Sequence, residues 1–204
     1  MLRADCITEV RDVLAGALVM TTAGGATHEW WHLADNRGQL QVRTLGLGSA
    51  IGLGLALSLP NRQVVVLDGD GGLLMNLYSL VTTAAQSPPN LLHICFDNGI
   101  YESSGSLPTF TGSSGTNLKE VAAAVGIADV QQPKSVAEFA AVVERAVAGR
   151  VHTFVHARVE PGRANVPNIP IDEVENKYRF ARYIEETEGI RILTGGGAGA
   201  AGPR

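Results

Sequence analysis

Residues 64–101 read VVVLDGDGGLLMNLYSLVTTAAQSPPNLLHICFDNGIY, and this stretch decides the fold. Val64 to Leu67 is a short unbroken apolar run rich in β-branched residues, which suits a strand buried on both faces. It ends in a polar glycine turn, Asp68-Gly69-Asp70-Gly71-Gly72. Leu73 to Ala85 is predicted as a helix, closed by Pro88-Pro89. Leu91 to Phe96 is the next strand, and Asp97-Asn98-Gly99-Ile100-Tyr101 is its turn. Residues 72–97 lie between Gly71 and Asn98, enough for a crossover helix and a second parallel strand. Adjacent parallel strands set their carboxyl ends side by side, where open α/β sheets bind ligands.

Outward from this unit the pattern repeats, with no internal repeat in the sequence and no linker. Upstream, Ile7 to Leu14 reads as an amphipathic helix, Ala17 to Thr21 as a strand ended by Gly24-Gly25, Thr27 to Leu33 as a short helix, and Gln39 to Leu45 as a strand. Ser49 to Leu59 reads as a small-residue helix stopped by Pro60. Gly46-Leu47-Gly48 and Gly52-Leu53-Gly54 sit at or inside it and read as tight packing, not as a dinucleotide fingerprint. Downstream come helices over Asn117 to Val125 and Val136 to Ala148, a strand over Thr153 to Val159, and a closing helix over Ile171 to Glu186. The fold class is α/β, a doubly wound parallel sheet. One domain is expected over residues 1–190. Residues 191–204, above all the Gly/Ala-rich stretch Gly195 to Arg204, are expected to be a disordered tail.

The composition narrows the functional classes. Of 204 residues, 45% are hydrophobic, which supports one core, and 18% are charged, low enough to leave surface for packing against another chain. The net charge is −4 and no basic stripe occurs, so no nucleic-acid partner is expected. Ala50 to Leu59, the longest apolar stretch, is too short to cross a bilayer, and the acidic N-terminus does not resemble a signal peptide. No membrane association is expected and the default location is cytoplasmic. Cys6 and Cys95 do not make a disulfide framework or a zinc spacing.

The two turns suggest a chemistry. The amides of Gly71 and Gly72, unobstructed by a Cβ, can approach a phosphate at a helix start. A diphosphate carries more negative charge than amides neutralise, and a divalent ion such as Mg²⁺ takes oxygen ligands of the kinds present. Asp70 offers a carboxylate, Asn98 a side-chain carbonyl, and Ile100 a backbone carbonyl.

A Gly-Asp-Gly followed at this interval by Asn resembles the signature of thiamine diphosphate enzymes. DGDGGLLMNLYSLVTTAAQSPPNLLHICFDNGIYESSGSLPT resembles the phosphonopyruvate and sulfopyruvate decarboxylases in particular, with ANVPNIP adding to the likeness near the C-terminus. The likeness runs from Val19 to Ile171. It implies the thiamine diphosphate-binding (PP-type) fold, thiamine diphosphate and Mg²⁺ as cofactors, and metal ligation by Asp70, Asn98 and the Ile100 carbonyl. It implies cofactor contacts at Gly24, Gly69, Gly71, Gly72 and Tyr101. Leu45 would be the bulky residue wedged between the cofactor's two rings, with its own N–H and the Arg43 carbonyl holding the aminopyrimidine. This sequence departs from the family at Gly72, where many members have Ser, at Asp97 in place of the first Asn, and at Arg43-Thr44 in place of Gly-Ser.

The glutamate that activates the cofactor lies in a separate pyrimidine-binding domain in the family. The implied partner is therefore a pyrimidine-binding α-type subunit, in a hetero-oligomer with two or more copies of each chain. The implied substrate is a small 2-oxo acid with an acidic tail, losing CO₂. Two alternatives stay open: a split, acetolactate-synthase-like carboligase subunit that forms a C–C bond, and a non-catalytic binding or regulatory module. No catalytic residue is assigned to this chain. His28 is weighed evenly between a cofactor or substrate contact and a surface role, and Glu102, Ser103 and Ser104 between substrate contact and an ordinary loop. Trp30 and Trp31 read as packing or interface, His93 as a satisfied core histidine, and His152 and His156 as structural.

Overall fold

Valines 64–66 place alternate side chains on opposite faces of their strand, and both faces are covered. The computed structural model describes residues 1–193, so the expected disorder of Gly195 to Arg204 lies outside the described residues. A six-stranded sheet is built from β1 (Leu18–Thr22), β2 (Gln39–Val42), β3 (Val64–Gly69), β4 (Leu91–Asp97), β7 (Asp129–Gln131) and β8 (Thr153–Arg158). Its order is β2-β1-β3-β4-β8-β7 and every pairing is parallel. A two-stranded antiparallel ribbon, β5 (Ile100–Tyr101) with β6 (Leu107–Pro108), follows β4. The helices are α1 (Arg3–Val10), α2 (Gly25–Leu33), α3 (Gly48–Ser58), α4 (Asp70–Leu74), α5 (Ser79–Gln86), α6 (Phe110–Ser113), α7 (Leu118–Ala124), α8 (Val136–Gly149) and α9 (Glu173–Glu188), and a single 3₁₀ turn spans Glu102–Ser104. No described helix is long and apolar enough to cross a membrane.

The pleat divides the core in two. Val65, Leu67, Leu92, Ile94 and Val155 face one side with Trp30 of α2 and Phe139 of α8. Val64, Val66 and Leu91 face the other with Ala56 of α3 and Phe180 of α9. Burying such side chains stabilises by roughly 1.5–3 kcal/mol each, which is why the unbroken apolar runs form the central strands. The glycines of α3 allow close approach to the sheet: a Cβ on Gly48 would lie 2.5 Å from Thr22 Cγ2, and one on Gly52 would overlap Val66. The outer strand β2 is capped sideways by Asn176 of α9, whose Oδ1 accepts the Gln41 N–H (2.8 Å) and whose Nδ2 donates to the Gln39 carbonyl (3.1 Å). Pairing of that edge with another chain is thereby blunted.

Several expected boundaries move. The first helix covers Arg3–Val10, not Ile7 to Leu14, because Arg3, Cys6, Ile7 and Val10 form the buried stripe and Leu14 enters the core from a turn beyond the helix. The strand expected to reach Leu45 stops at Val42. The helix expected over Leu73 to Ala85 is two helices. Asn76 Nδ2 donates to the Gly46 carbonyl (2.6 Å) and the Ser79 hydroxyl to the Asn76 carbonyl (2.7 Å), which turns the chain between α4 and α5. β7 was not expected; it is three half-buried residues at the far edge of the sheet. The closing helix begins at Glu173 because the Asp172 carboxylate accepts the Glu175 N–H (2.8 Å), and it ends where Gly189 turns left-handed at φ 66°.

Candidate functional site

From β1 the chain runs outward to β2, then returns to place β3 on the other side of β1. The carboxyl ends of β1 and β3 therefore diverge, and a crevice opens between the segments that follow them. A cleft lies there, with Thr22 to Ala26 on one side and Asp68 to Gly72 on the other. Gly69 pairs with Phe96 across β3 and β4, so Asp70 and Asn98 leave neighbouring strands within two residues of that pair. Of the expected contact positions, Gly24, Leu45, Gly69, Asp70, Gly71, Gly72, Asn98, Ile100 and Tyr101 all line this cleft. Arg43 does not: its side chain is exposed and ion-pairs with Glu173.

Asp70 is 2% exposed and lies near a second carboxylate, Asp97. Its Oδ2 accepts the hydroxyls of Thr109 (2.5 Å) and Thr111 (2.9 Å). Thr111 also reaches Asp97 Oδ1 (2.7 Å), and His156 Nε2 lies 2.7 Å from Asp97 Oδ2. The two acids end on opposite sides of the ordinary carboxylate range. Burial raises the Asp70 pKa, and with the Asp97 charge it outweighs the threonine hydrogen bonds. Burial acts on Asp97 too, but hydrogen bonds from His156 and Thr111 and the charges of His156 and Arg158 prevail and lower its pKa. Asp97 is thus an internal anion at neutral pH, while Asp70 carries a charge that the unloaded protein disfavours.

The turn after β4 is held from both sides. Asn98 Oδ1 accepts the Ile100 N–H (3.0 Å), and Asp97 Oδ1 accepts the Gly99 N–H (3.0 Å). Gly99 sits at φ +73°, and its carbonyl accepts the Thr109 N–H (2.9 Å). The Tyr101 ring lies where a Cβ on Gly71 would be. A Cβ on Gly72 would come within 2.8 Å of Asp68 Oδ1 and 3.6 Å of Leu45 Cδ2, so Leu45 reaches the start of α4 across the cleft. Asp68 Oδ1 is pinned by Thr22 Oγ1 (2.9 Å) and the Gly69 N–H (2.9 Å). This accounts for glycine at 72: a larger residue would press on a fixed carboxylate.

Beside the Gly24-Gly25 turn, Arg3 of α1 is 5% exposed and Glu29 of α2 is 1% exposed. Arg3 Nε lies 2.6 Å from Glu29 Oε2, and Arg3 Nη2 donates to the Gly162 carbonyl (3.0 Å) and lies 3.7 Å from Glu102 Oε2. Glu29 Oε1 also accepts the Ala164 N–H (2.8 Å). His28 is half-buried, and its Nδ1 accepts the Ile169 N–H (3.2 Å). Trp30 is in the core and donates Nε1–H to the Asp35 carbonyl (3.0 Å), while Arg179 stacks over Trp31, so both tryptophans are packing residues. His93 departs from expectation. It is buried edge-on to Phe154, yet neither ring nitrogen has a hydrogen-bond partner, and the nearest carboxylate oxygen, Asp68 Oδ2, is 3.7 Å away.

Arg3, Thr22, Asp68, Thr109 and Thr111 all help to build the site and were not singled out from sequence; hydroxyls after a strand carry no periodic signal. Among the described residues no group of three or more His, Cys, Asp or Glu converges to hold a metal unaided. The cleft offers a few hard oxygens: the Asp70 carboxylate, the Asn98 amide and backbone carbonyls. Such a set suits Mg²⁺ that completes its shell with water and phosphate oxygens, and it does not suit zinc.

Comparison with known proteins agrees with this geometry. The family model described as thiamine pyrophosphate enzyme, C-terminal TPP binding domain, matches residues 22–157. The chain is 39% identical over 185 residues to the sulfopyruvate decarboxylase subunit beta of Methanothermobacter thermautotrophicus, covering 89% of this chain and 95% of that one. It is 37% identical over 194 residues to the phosphonopyruvate decarboxylase of Streptomyces hygroscopicus, covering 92% of this chain and 47% of that longer protein. Among solved structures, the thiamine diphosphate-dependent 4-hydroxybenzoylformate decarboxylase of Rhodococcus jostii RHA1 superposes with a TM-score of 0.65 at 20% identity, over 80% of this chain and 33% of that one, a likeness of fold.

Proposed function

The chain belongs to the thiamine pyrophosphate enzymes, carrying their C-terminal TPP-binding domain, and from that premise we propose that it is the diphosphate-binding subunit of a cytoplasmic two-subunit 2-oxo acid decarboxylase. Relatives that it matches almost end to end are named β subunits. A partner chain with the pyrimidine-binding domain and its activating glutamate would complete the enzyme, with two or more copies of each chain. The substrate would be a short 2-oxo acid with a second anionic group, as the names of the relatives suggest.

One observation carries this reading. Asp70 and Asn98 leave adjacent parallel strands into one cleft, and the Asp70 carboxylate is buried with its Oδ2 taken by hydroxyls. Asp70, Asn98 and the Ile100 carbonyl would hold Mg²⁺, and the first-turn amides of Gly71 and Gly72 would face the diphosphate. Thiamine diphosphate supplies the electron sink for decarboxylation when bound. The protein's own part is positional. Thr109 and Thr111 fix the Asp70 rotamer, the Asn98–Ile100 turn presents its carbonyls, and Leu45 with the Arg43 backbone would orient the cofactor. Tyr101, packed over Gly71, would cover one side of the metal position.

Asp70→Asn tests this in the complex assembled with the partner. Titration calorimetry with Mg²⁺ and thiamine diphosphate should show affinity weakened about 100-fold or more, with 2-oxo acid turnover lost, since an amide keeps the hydrogen-bonding shape but not the charge. Unchanged affinity and turnover would end the proposal.

A further inference from the structure

A second depression opens off the cleft and shares Gly24, Gly25, Ile100, Glu102 and Ser103 with it. Its remaining polar wall is His28, Ser106 and Arg163. The charges there are unevenly committed. Glu102 is occupied: its Oε1 accepts the Gly162 N–H (2.5 Å) and its Oε2 faces Arg3. Arg3 and Glu29 neutralise each other beneath the turn. Arg163 differs. Its guanidinium donates to Asn168 Oδ1 (3.0 Å) and to the Val166 carbonyl, both neutral acceptors, and among the described residues it pairs with no carboxylate. Its direction is fixed while its charge stays uncompensated.

His28 adds a donor beside it. Because Nδ1 accepts the Ile169 N–H, the neutral ring carries its proton on Nε2. Burial, and then the charges of Arg163 and Arg43, hold the imidazole below its ordinary pKa, so the ring is a neutral N–H donor in a positive local field. Two serine hydroxyls, Ser103 and Ser106, complete the wall.

The chemistry of decarboxylation says which anion belongs there. A cation gripping the departing carboxylate would stabilise a charge that disappears in the transition state, and would slow the step. A cation gripping a tail whose charge persists binds ground state and transition state alike. Resting on the function proposed above, we propose that this depression is the subsite for the substrate's second anionic group, a tetrahedral sulfonate or phosphonate, with Arg163 supplying the charge and His28 a directed hydrogen bond.

The test uses the complex of this chain with its pyrimidine-domain partner, loaded with thiamine diphosphate and Mg²⁺. Arg163→Gln should lower kcat/KM for sulfopyruvate or phosphonopyruvate about tenfold or more, through KM, while pyruvate, which lacks the tail, changes less than twofold. The tailed substrate that suffers the larger loss identifies the anion. Arg163→Lys should restore part of the discrimination, which a merely unfolded loop would not. In the full chain alone, 3-sulfopropanoate should shift the His28 ring resonances, propanoate should not, and Arg163→Gln should abolish the shift. Equal losses on tailed and tail-less substrates, or undiminished discrimination, would overturn the assignment. If that happens while the complex still binds cofactor and turns over, the function above stands; failure of cofactor binding removes both.

Discussion

Replacing Thr111 by valine removes one hydroxyl with little change in shape, and its cost can be worked from the hydrogen bonds around it. The side chain is 3% exposed, and its Oγ1 lies 2.7 Å from Asp97 Oδ1, 2.8 Å from Thr109 Oγ1 and 2.9 Å from Asp70 Oδ2. A hydroxyl has one proton to give. Thr109, at 2.5 Å, is the nearer donor to Asp70, so the Thr111 proton, shared between Asp70 at 2.9 Å and Asp97 at 2.7 Å, goes chiefly to Asp97. The substitution therefore removes one hydrogen bond to a charged group, worth about 1.5–3 kcal/mol. Asp97 keeps the Gly99 N–H and His156, which holds the expected loss near 2 kcal/mol. For a domain of this size that is a fall in Tm of about 4–8 °C. A second signature separates this from a packing defect. The folded Asp97 pKa lies below its ordinary 3.8, so its contribution is present above that pH and is lost as pH falls through the folded value. Without Thr111 the shift is smaller. The gap between wild type and variant should be full at pH 7 and should narrow below about pH 4. Urea unfolding of the full chain at both ends of that range reads it. A gap under about 0.5 kcal/mol at pH 7, or one as wide in acid as at neutrality, would refute the proton assignment.

Two further perturbations test the frame around the site. His152 is buried and its pKa is lowered from 6.5 to about 4, by burial first and then by His93. The unfolded chain protonates it first, so stability should be flat above pH 6.5 and should fall by about 3 kcal/mol as pH drops to 4; His152→Gln should flatten that slope in denaturant titrations, and an unchanged slope would place the acid sensitivity elsewhere. Gly72→Ala should lower the unfolding free energy by about 1–3 kcal/mol, despite alanine's better helix propensity, because the new methyl meets the pinned Asp68 carboxylate at 2.8 Å; a more stable variant would show that Asp68 yields freely.

What the sequence made legible follows from where a pattern has a physical period. β3 and β4 were readable because Val64–Leu67 and Leu91–Phe96 are short apolar runs bounded by turn residues, which suits strands buried on both faces. That Asp70 and Asn98 would leave adjacent strands into one cleft was readable because their interval equals one crossover unit. The break between α4 and α5 was not, because it depends on Asn76 reaching the Gly46 carbonyl in a distant loop. The early start of α1 was hidden for a similar reason: Arg3 lies on the buried face, and its burial makes sense only beside Glu29, 26 residues away in the chain. Thr109 and Thr111 follow Pro108 at the start of the short α6, with no repeat, and their carboxylate partners come from the start of α4 and the end of β4. That Leu45 would line the cleft was readable only by likeness to a family, since a lone leucine after a strand has no distinguishing pattern.

The departure at Asp97 shows how the fold absorbs a changed charge next to the proposed metal-binding turn. Two buried acids facing one hydroxyl would repel, and in most interiors both would be protonated or one would be lost. Here β8 solves the problem in register. His156 stands opposite Cys95 and Arg158 opposite Asp97, so the strand next to β4 brings an imidazole to 2.7 Å and a guanidinium to 3.9 Å of the Asp97 carboxylate. With its charge matched by protein groups, Asp97 would be held away from the proposed metal position. Its negative field then falls on Asp70 and disfavours a second charge there while the protein is unloaded. The divalent cation proposed for Asp70 would reverse that penalty, because it would meet two neighbouring negative fields and not one. Asparagine at 97 would leave His156 without its carboxylate partner and would weaken the negative field at Asp70, so Asp97 and His156 act as one unit shared between two strands.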